Sequence, residues 1–209
     1  MLAIVDYGAG NLRSVVRAVQ AVGCRFEVTV DPKVMRDAAG IILPGVGAAA
    51  DTMSGLAKRS LIAPVAEAIS SGKPYLGVCM GLQILFEESE EDGGTPCLGV
   101  FEGVVRKFPP GLHVPHVGWN QVHQRENVSL FEGVAQDANF YFVHSYYAPL
   151  GGGEYAAATT EYGLEFLSVL HAGNVFATQF HPEKSGPAGI KVYANFARLC
   201  GETPAGVGS

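Results

Sequence analysis

Residues 74–88 read PYLGVCMGLQILFEE, and this stretch decides the fold because its character changes in the middle. It begins as a short apolar run typical of a buried strand and continues with the spacing of a helix. Gly77 and Gly81 flank Cys79 at the change, which is the G-x-C-x-G pattern of a nucleophile elbow. In such an elbow the nucleophile is exposed on a strained turn at the carboxyl edge of a sheet, where glycine makes room for the backbone.

The helix predicted after Cys79 would direct its N-terminus toward the sulfur atom. The helix dipole and the free N–H groups would then favour a thiolate and stabilise a developing oxyanion. A buried cysteine in a glycine-rich loop is the alternative interpretation, because free cysteines are commonly buried. The motif alone does not decide between the two.

Strand-like and helical patterns alternate through the first half of the chain. The strand-like segments are 2–8, 25–30, 40–47 and 74–79, and the helical segments are 11–23, 61–73 and 80–91. In the first helix Asn11 is a candidate N-cap and Gly23 a candidate stop. Strands that alternate with helices indicate βαβ units, and hence a central, mostly parallel sheet with helices on both faces.

After residue 95 the pattern changes to closely spaced strands. These segments are 98–108, 116–124, 139–148, 154–162, 164–173 and 174–180, followed by a helix over 188–200. They predict antiparallel or mixed sheet attached to the α/β core. We expect one domain over residues 1–201 and a flexible tail over residues 202–209.

Composition and charge exclude several functional classes. The net charge is -6 and Lys plus Arg total 14, without the basic stripe of a nucleic-acid-binding protein. There is no apolar run of membrane-spanning length and no signal-peptide pattern, so we expect a cytoplasmic protein. The four cysteines lack paired spacing, which argues against disulfides and against a metal site.

A thiolate nucleophile needs a base, and the segment ATQFHPEKS supplies a candidate. His181 and Glu183 follow a predicted strand and are separated by Pro182. Residues two apart on an extended segment project to the same side, so the carboxylate could orient the imidazole. Ordinary loop residues are the alternative, since the chain has six histidines.

Taken together, these motifs resemble the class I (triad) glutamine amidotransferases. The segments that carry the resemblance are PGVG at 44–47, LGVCMGLQILFEESEE at 76–91 and TQFHPEKS at 178–185. Three others, DYGAGNLRSV at 6–15, VPHVGWN at 114–120 and YFVHSYY at 141–147, resemble the branch formed by glutaminase subunits of imidazole glycerol phosphate synthase. Ala49, Met80 and Leu82 depart from the commoner Phe, Leu and Met, without affecting a catalytic position.

The resemblance implies a flavodoxin-like single-domain fold and a glutaminase mechanism without a cofactor. Cys79 would attack the glutamine carboxamide, His181 would transfer protons and Glu183 would orient His181. The resemblance also implies an oxyanion hole and a glutamine pocket. The oxyanion hole would comprise Val46, Gly47 and Met80, and the glutamine contacts would be Gly47, Met80, Gln83, Glu91, Ser145 and Tyr146. A solvated acidic run is the alternative for Glu91.

The resemblance further implies a partner, because free ammonia would be lost to water. That partner is a (β/α)₈-barrel cyclase subunit of histidine biosynthesis, which would receive ammonia within a heterodimer. Its predicted contacts are Asn11, Trp119, Tyr141 and Lys184. Alternatively, Asn11 only caps its helix, and Trp119 belongs to the core.

Three other functions remain open from the residues alone. The chain could be the glutaminase for another acceptor, such as that of pyridoxal phosphate, anthranilate or GMP synthesis, although segments 6–15 and 114–120 argue against it. It could be a freestanding γ-glutamyl peptidase with the same Cys79 elbow, or a non-catalytic flavodoxin-like binding module. A dinucleotide site is disfavoured, because GAGNLR after the first strand lacks the third glycine of the fingerprint.

Overall fold

A computed structural model describes residues 1–125, 127–151 and 154–205 of the chain. The helices in the described residues are α1 Leu12–Val22, α2 Pro32–Asp37, α3 Ala49–Lys58, α4 Ile62–Ser70, α5 Met80–Gln83 and α6 Gly186–Leu199. The strands are β1 Leu2–Val5, β2 Phe26–Thr29, β3 Gly40–Leu43, β4 Tyr75–Val78, β5 Phe86–Ser89, β6 Thr95–Pro96, β7 Phe101–Lys107, β8 His116–Gln124, β9 Ala138–His144, β10 Tyr146–Tyr147, β11 Ala156–Glu161, β12 Glu165–Ala172 and β13 Val175–Thr178. Single 3₁₀ turns cover Glu91–Gly93, Ser129–Phe131 and Pro182–Lys184.

The main sheet joins a parallel half to an antiparallel half. Its strands follow the order β2-β1-β3-β4-β13-β12-β11-β8-β9. From β2 to β13 neighbouring strands are parallel, and from β13 to β9 they are antiparallel. The order 2-1-3-4 is that of a flavodoxin-like doubly wound fold. The prediction of an α/β fold with added antiparallel strands is therefore confirmed.

Helices cover both faces of the parallel half. Along β1, Leu2 and Ile4 pack on the face that carries α1 and α6, whereas Ala3 and Val5 pack on the face that carries α2, α3 and α4. All four side chains are buried, as expected for an interior parallel strand. The carboxyl ends of β3, β4 and β13 consequently open at one edge between the two helical layers, where ligands bind in open α/β sheets.

The helix predicted over residues 80–91 is wrong beyond Gln83. Residues 86–89 form β5, which belongs to a second sheet of the order β10-β7-β5-β6. The physical reason is burial: Leu85 and Phe86 are 0% exposed, and the Leu85 carbonyl accepts hydrogen bonds from the N–H groups of Val100 and Phe101. A surface helix would expose part of this apolar run, whereas the second sheet covers it.

Residue 202 packs back against the first residue of the chain. Glu202 forms an ion pair with the amino group of Met1, and its N–H donates to the Ala197 carbonyl at 2.9 Å. Residues 206–209 of the predicted tail lie outside the described residues, and a domain boundary at residue 201 stays a prediction. Within the described residues, no helix combines the length and the apolar character that crossing a membrane requires.

Candidate active site

Cys79 lies on a strained elbow between β4 and α5. Its backbone has φ 53° and ψ -100°, and its N–H donates to the Thr178 carbonyl at the end of β13, at 2.7 Å. A Cβ atom on Gly77 would overlap the Gly81 carbonyl, and one on Gly81 would overlap the carbonyl of Leu43. Both glycines of the motif are therefore required by close approach of the backbone, as the sequence predicted.

The prediction of an exposed thiol is wrong. Cys79 is only 4% exposed, and the side-chain amide of Gln179 lies 3.6 Å from the sulfur. The sulfur nevertheless lines a cavity of about 630 Å³ at the carboxyl edge of the sheet. A substrate can therefore reach Cys79 through this cavity.

His181 and Glu183 form a buried pair directly after β13. His181 Nδ1–H donates to Glu183 Oε1 at 2.8 Å, and both side chains are 0% exposed. Two further donors hold the carboxylate: Asn11 Nδ2 bonds to Oε1 at 2.8 Å, and the hydroxyl of Tyr193 bonds to Oε2 at 3.4 Å. With Nδ1 occupied, Nε2 is the ring nitrogen available to the thiol.

The electrostatics of this pair favour an imidazolium at His181. Burial by itself lowers the pKa of His181, but Cys79 and Glu183 outweigh burial and raise this pKa to about 10. Burial raises the pKa of Glu183, but the hydrogen bonds and charge of its partners outweigh burial and hold this pKa below the ordinary value. Among the described residues, His181 Nε2 is buried without a hydrogen-bond partner, so it remains available for proton transfer.

The PGVG segment follows β3 and packs against the elbow. A Cβ on Gly45 would lie 2.6 Å from Met80 Cβ, so the loop approaches as closely as glycine allows. Gly47 is exposed with φ 97°, and its missing side chain faces open space, so the conformation and not the packing calls for glycine. The first turn of α5 leaves the N–H of Met80 without an intrahelical acceptor.

The cavity brings together all the residues that the resemblance assigned to the oxyanion hole and to glutamine. Its lining includes Val46, Gly47, Met80, Gln83, Glu91, Ser145 and Tyr146, together with Cys79. These residues come from the loop after β3, the elbow with α5, the 3₁₀ turn after β5, and the junction of β9 with β10. Their convergence on one cavity is a property of the tertiary structure.

Two of these side chains are already engaged in hydrogen bonds. Gln83 Nε2 donates to the Tyr146 carbonyl at 2.8 Å and to Gln179 Oε1 at 2.9 Å, which uses both of its protons. Only Gln83 Oε1 is left for a substrate N–H group. Glu91 Oε2 accepts the N–H of Ala49 at 2.7 Å and so holds the first residue of α3. Burial raises the pKa of Glu91, and a solvated acidic run does not describe it.

The predicted partner contacts divide into an exposed group and a buried residue. Trp119 is 58% exposed and meets Tyr141 edge to face, with ring centroids 6.2 Å apart. Lys184 Nζ lies 5.4 Å from the Tyr141 ring. Asn11 is only 6% exposed, occupies the N-cap position of α1 without a capping bond, and bonds Glu183 instead. Neither alternative for Asn11 and Trp119, a helix cap and a core residue, fits this geometry.

Sequence reasoning missed four side chains that the structure joins to the site. These are His116, His144, Gln179 and Tyr193. Gln179 lies inside the quoted segment ATQFHPEKS, and its position two residues before His181 is the one signal that could have drawn attention to it. Within residues 1–125, 127–151 and 154–205, no group of three or more His, Cys, Asp or Glu side chains is arranged to hold a metal ion.

Comparison with known proteins identifies the family. The family model described as glutamine amidotransferase class-I matches residues 3–200. The chain therefore belongs to the class-I glutamine amidotransferases, and it is an enzyme with glutaminase activity. Among solved structures, one described as a glutamine amidotransferase is similar with a TM-score of 0.74 and 20% identity, covering 96% of this chain and 98% of that chain. At this identity the structural likeness shows the fold alone.

Curated relatives define the branch within that family. A protein of Dehalococcoides mccartyi (strain CBDB1) is 48% identical over 199 residues, which is 95% of this chain and 97% of the relative. Proteins of Moorella thermoacetica and Herpetosiphon aurantiacus are 48% and 45% identical, over 95% and 100% of this chain and 94% and 99% of the relatives. All three are named imidazole glycerol phosphate synthase subunit HisH. The chain falls among these glutaminase subunits.

Proposed function

We propose that this chain hydrolyses glutamine at Cys79 and passes the ammonia to a (β/α)₈-barrel cyclase in histidine biosynthesis. The observation that carries the proposal is the placement of Cys79 on the floor of a cavity, beside the buried His181–Glu183 pair. The identity of 45–48% to imidazole glycerol phosphate synthase subunits supports this acceptor over the other acceptors of the fold.

The first half of the reaction forms a thioester. The Cys79 thiolate attacks the side-chain carbonyl carbon of glutamine, and the carbonyl oxygen becomes an oxyanion. The N–H of Met80 and an N–H from Val46 or Gly47 would donate to that oxygen. The His181 imidazolium then gives its proton to the carboxamide nitrogen, the C–N bond breaks and ammonia leaves. A raised pKa at His181 suits this role, because the imidazolium is present at neutral pH.

The second half regenerates the enzyme. Neutral His181 takes a proton from water while the water oxygen attacks the thioester carbonyl carbon. The C–S bond breaks and glutamate leaves, with Cys79 again a thiolate beside the imidazolium. The sum is glutamine plus water giving glutamate plus ammonia, and Glu183 keeps its charge and holds the ring in place throughout.

The surface that would receive the cyclase is formed by the exposed side chains of Trp119 and Lys184 and the half-buried Tyr141. Large exposed aromatic side chains are frequent anchors of protein interfaces. This surface also leads to the active site, because the Tyr141 carbonyl accepts the N–H of His181 at 2.9 Å. Docking on Tyr141 could therefore bias the position of His181.

The test is glutamate release from glutamine, measured for the chain alone and with the barrel cyclase and its nucleotide ligand. We expect near silence alone and strong turnover in the liganded complex. Full activity of the chain alone would indicate a freestanding amidase. Silence in both cases would show that the acceptor is wrong.

Two substitutions separate chemistry from docking. Cys79→Ala should abolish glutamate release, whereas the matched control Cys97→Ala should retain it, because Cys97 lies outside the cavity lining. Trp119→Ala should weaken cyclase binding and leave the cavity intact. Turnover retained in Cys79→Ala would refute the nucleophile assignment.

A further inference from the structure

Gln179 is a fully buried amide that lies between the glutamine pocket and the sulfur of Cys79. It is 0% exposed, and its N–H donates to the Ser168 carbonyl at 2.9 Å on the neighbouring strand β12. Its side chain contacts Cys79 Sγ through Nε2 at 3.6 Å and Gln83 Nε2 through Oε1 at 2.9 Å. The glutaminase chemistry described above uses no part of this side chain.

The orientation of the Gln179 amide follows from the Tyr146 carbonyl, to which it is connected through the side chain of Gln83. The Tyr146 carbonyl can only accept hydrogen bonds, so the group of Gln83 that faces it at 2.8 Å must be the amide nitrogen. The same nitrogen faces Gln179 at 2.9 Å, so the Gln179 atom there must be the oxygen. The nitrogen of Gln179 is then the atom directed at the Cys79 sulfur.

The Tyr146 carbonyl also bonds to the buried His144, which bonds in turn to the buried His116. His144 Nδ1 lies 2.8 Å from this oxygen and must carry a proton to bond it, which leaves His144 Nε2 as an acceptor. His116 Nδ1 lies 3.0 Å from His144 Nε2 and therefore donates, and Asn120 Nδ2 donates to His116 Nε2 at 3.3 Å. Both acceptor positions of the carbonyl are thus filled, one by the chain of donors that starts at Asn120 and the other by Gln83, whose second proton begins the chain to Gln179 and Cys79.

We propose that Gln179 is a further catalytic residue, whose side-chain N–H donates to the sulfur of Cys79 and stabilises the thiolate. This inference rests on the proposed function, because it takes Cys79 as the nucleophile. A thiolate that is 4% exposed has little water to solvate it and needs donors from the protein. In the proposed mechanism the N–H of Met80 serves the substrate oxyanion, so the sulfur needs a donor of its own.

A purely structural role for Gln179 makes a different prediction from a donor role. Gln179→Glu keeps an oxygen to accept the Gln83 bond but replaces the donor with a carboxylate oxygen beside the sulfur. Gln179→Leu removes both the donor and the acceptor. If Gln179 only positions Gln83, Gln179→Leu weakens glutamine binding but leaves Cys79 alkylation at pH 7 at the wild-type rate, whereas the added charge of Gln179→Glu slows alkylation under either role. If Gln179 donates to the thiolate, alkylation of Cys79 at pH 7 is slowed in both variants, and more in Gln179→Glu.

The measurement is the rate at which iodoacetamide alkylates Cys79 at pH 7 and pH 10, followed by mass spectrometry of the Cys79 peptide in the folded chain. We expect alkylation at pH 7 to slow about tenfold in Gln179→Leu and further in Gln179→Glu, with rates converging at pH 10. Gln136→Leu, which removes an exposed amide bonded to Gln124 and His123, serves as the matched control with the wild-type rate.

The outcomes separate this inference from the proposed function. A wild-type alkylation rate at pH 7 in both Gln179 variants would overturn the donor role while leaving Cys79 as nucleophile. A wild-type alkylation rate in Gln179→Leu together with a raised KM for glutamine would also overturn it, in favour of a positioning role. Failure of the proposed function would instead appear as glutamate release by Cys79→Ala.

Discussion

Two buried pairs of side chains in this protein, one of histidine with glutamate and one of two histidines, have opposite electrostatic properties. His181 is bonded to the carboxylate of Glu183, and its pKa is raised to about 10. His116 and His144 are bonded to each other, and burial lowers their pKa values to about 4 and about 3. All three rings are at most 6% exposed. Burial alone disfavours the imidazolium in each case, so the partner decides the sign of the shift.

This difference explains how one small region contains both a pair of charged side chains, the charged arm, and a pair of neutral imidazoles, the neutral arm. The charged arm of His181 and Glu183 moves protons at Cys79. The hydrogen bonds of the neutral arm run in one direction, from Asn120 through His116 and His144 to the Tyr146 carbonyl, and no proton moves along them. A carboxylate beside the neutral arm would disturb that direction, and a missing carboxylate beside the charged arm would remove the imidazolium.

The largest expected effect comes from Glu183→Gln, which makes the charged arm resemble the neutral one. Burial is then no longer offset by the carboxylate, so the pKa of His181 falls and the imidazolium beside Cys79 is lost. We expect kcat for glutamate release in the liganded complex to fall by about 10³–10⁴-fold. Glu165→Gln, an exposed carboxylate on β12, is the matched control. Activity within tenfold of wild type would contradict this role for Glu183.

The neutral arm predicts sensitivity to acid. The pKa values of His116 and His144 are lowered in the folded state, so the unfolded chain binds more protons below pH 6.5. The contribution of the two neutral imidazoles to the free energy of unfolding is therefore complete above pH 6.5 and is lost as the pH falls toward their folded-state pKa values. His181 adds no slope below pH 6.5, because its pKa is raised.

Between pH 6.5 and 4.5 we expect one such histidine to lower the free energy of unfolding by roughly 3 kcal/mol. Denaturant unfolding at several pH values measures this slope. His144→Gln should reduce it, whereas His123→Ala, which changes an exposed side chain, should not. A flat dependence of the wild-type protein over this range would rule out the neutral pair.

A smaller effect is expected from Asn11→Ala, which tests how much one hydrogen bond to the Glu183 carboxylate contributes to catalysis. Glu183 Oε1 loses one of its two donors but keeps His181. A hydrogen bond to a charged group contributes about 1.5–3 kcal/mol, so kcat should fall about tenfold or somewhat more. Asn139→Ala, an exposed asparagine on β9, is the control. If cyclase affinity falls while kcat stays unchanged, Asn11 acts at the interface and not on Glu183.

The smallest effect is expected from Asn120→Asp, which moves the neutral arm toward the charged type. Asn120 Nδ2 lies 3.3 Å from His116 Nε2, so an aspartate there would favour a protonated His116. The pKa of His116 should rise, and the loss of stability in acid should become shallower by about 1 kcal/mol or less, since Asn120 is half-buried. Histidine resonances followed by NMR during titration measure the change. An unchanged His116 titration would show that the contact carries no charge coupling.

Much of the fold could be predicted because the signals are local. Alternating apolar strands and amphipathic helices indicated the parallel half, and Gly23, the predicted stop of α1, ends that helix in the left-handed conformation. The error over residues 80–91 arose because helical spacing of short apolar runs is ambiguous. The start of α2 was overlooked although Asp31 and Pro32 carry a helix-start signal, with the Asp31 side chain accepting the Lys33 N–H at 2.8 Å.

The features of the candidate site also divide into those that local sequence signals predicted and those that they could not. The G-x-C-x-G and H-P-E motifs could be interpreted from spacing, because steric crowding at an elbow and the reach of a carboxylate across two residues are short-range effects. The burial of Cys79 and the bond from Asn11 to Glu183 could not, since Asn11 and Glu183 are 172 residues apart in the sequence.

The sequence by itself determined the family, the α/β class and the nucleophile, base and carboxylate candidates, because each depends on residues within a few positions of one another. Only the tertiary structure decided the charge of each histidine and the direction of the amide network. Gln83 and Gln179 are 96 residues apart, and His116 and His144 are 28 apart. The protonation and orientation of such groups depend on the neighbours that folding brings within hydrogen-bonding distance, and on the water that folding removes.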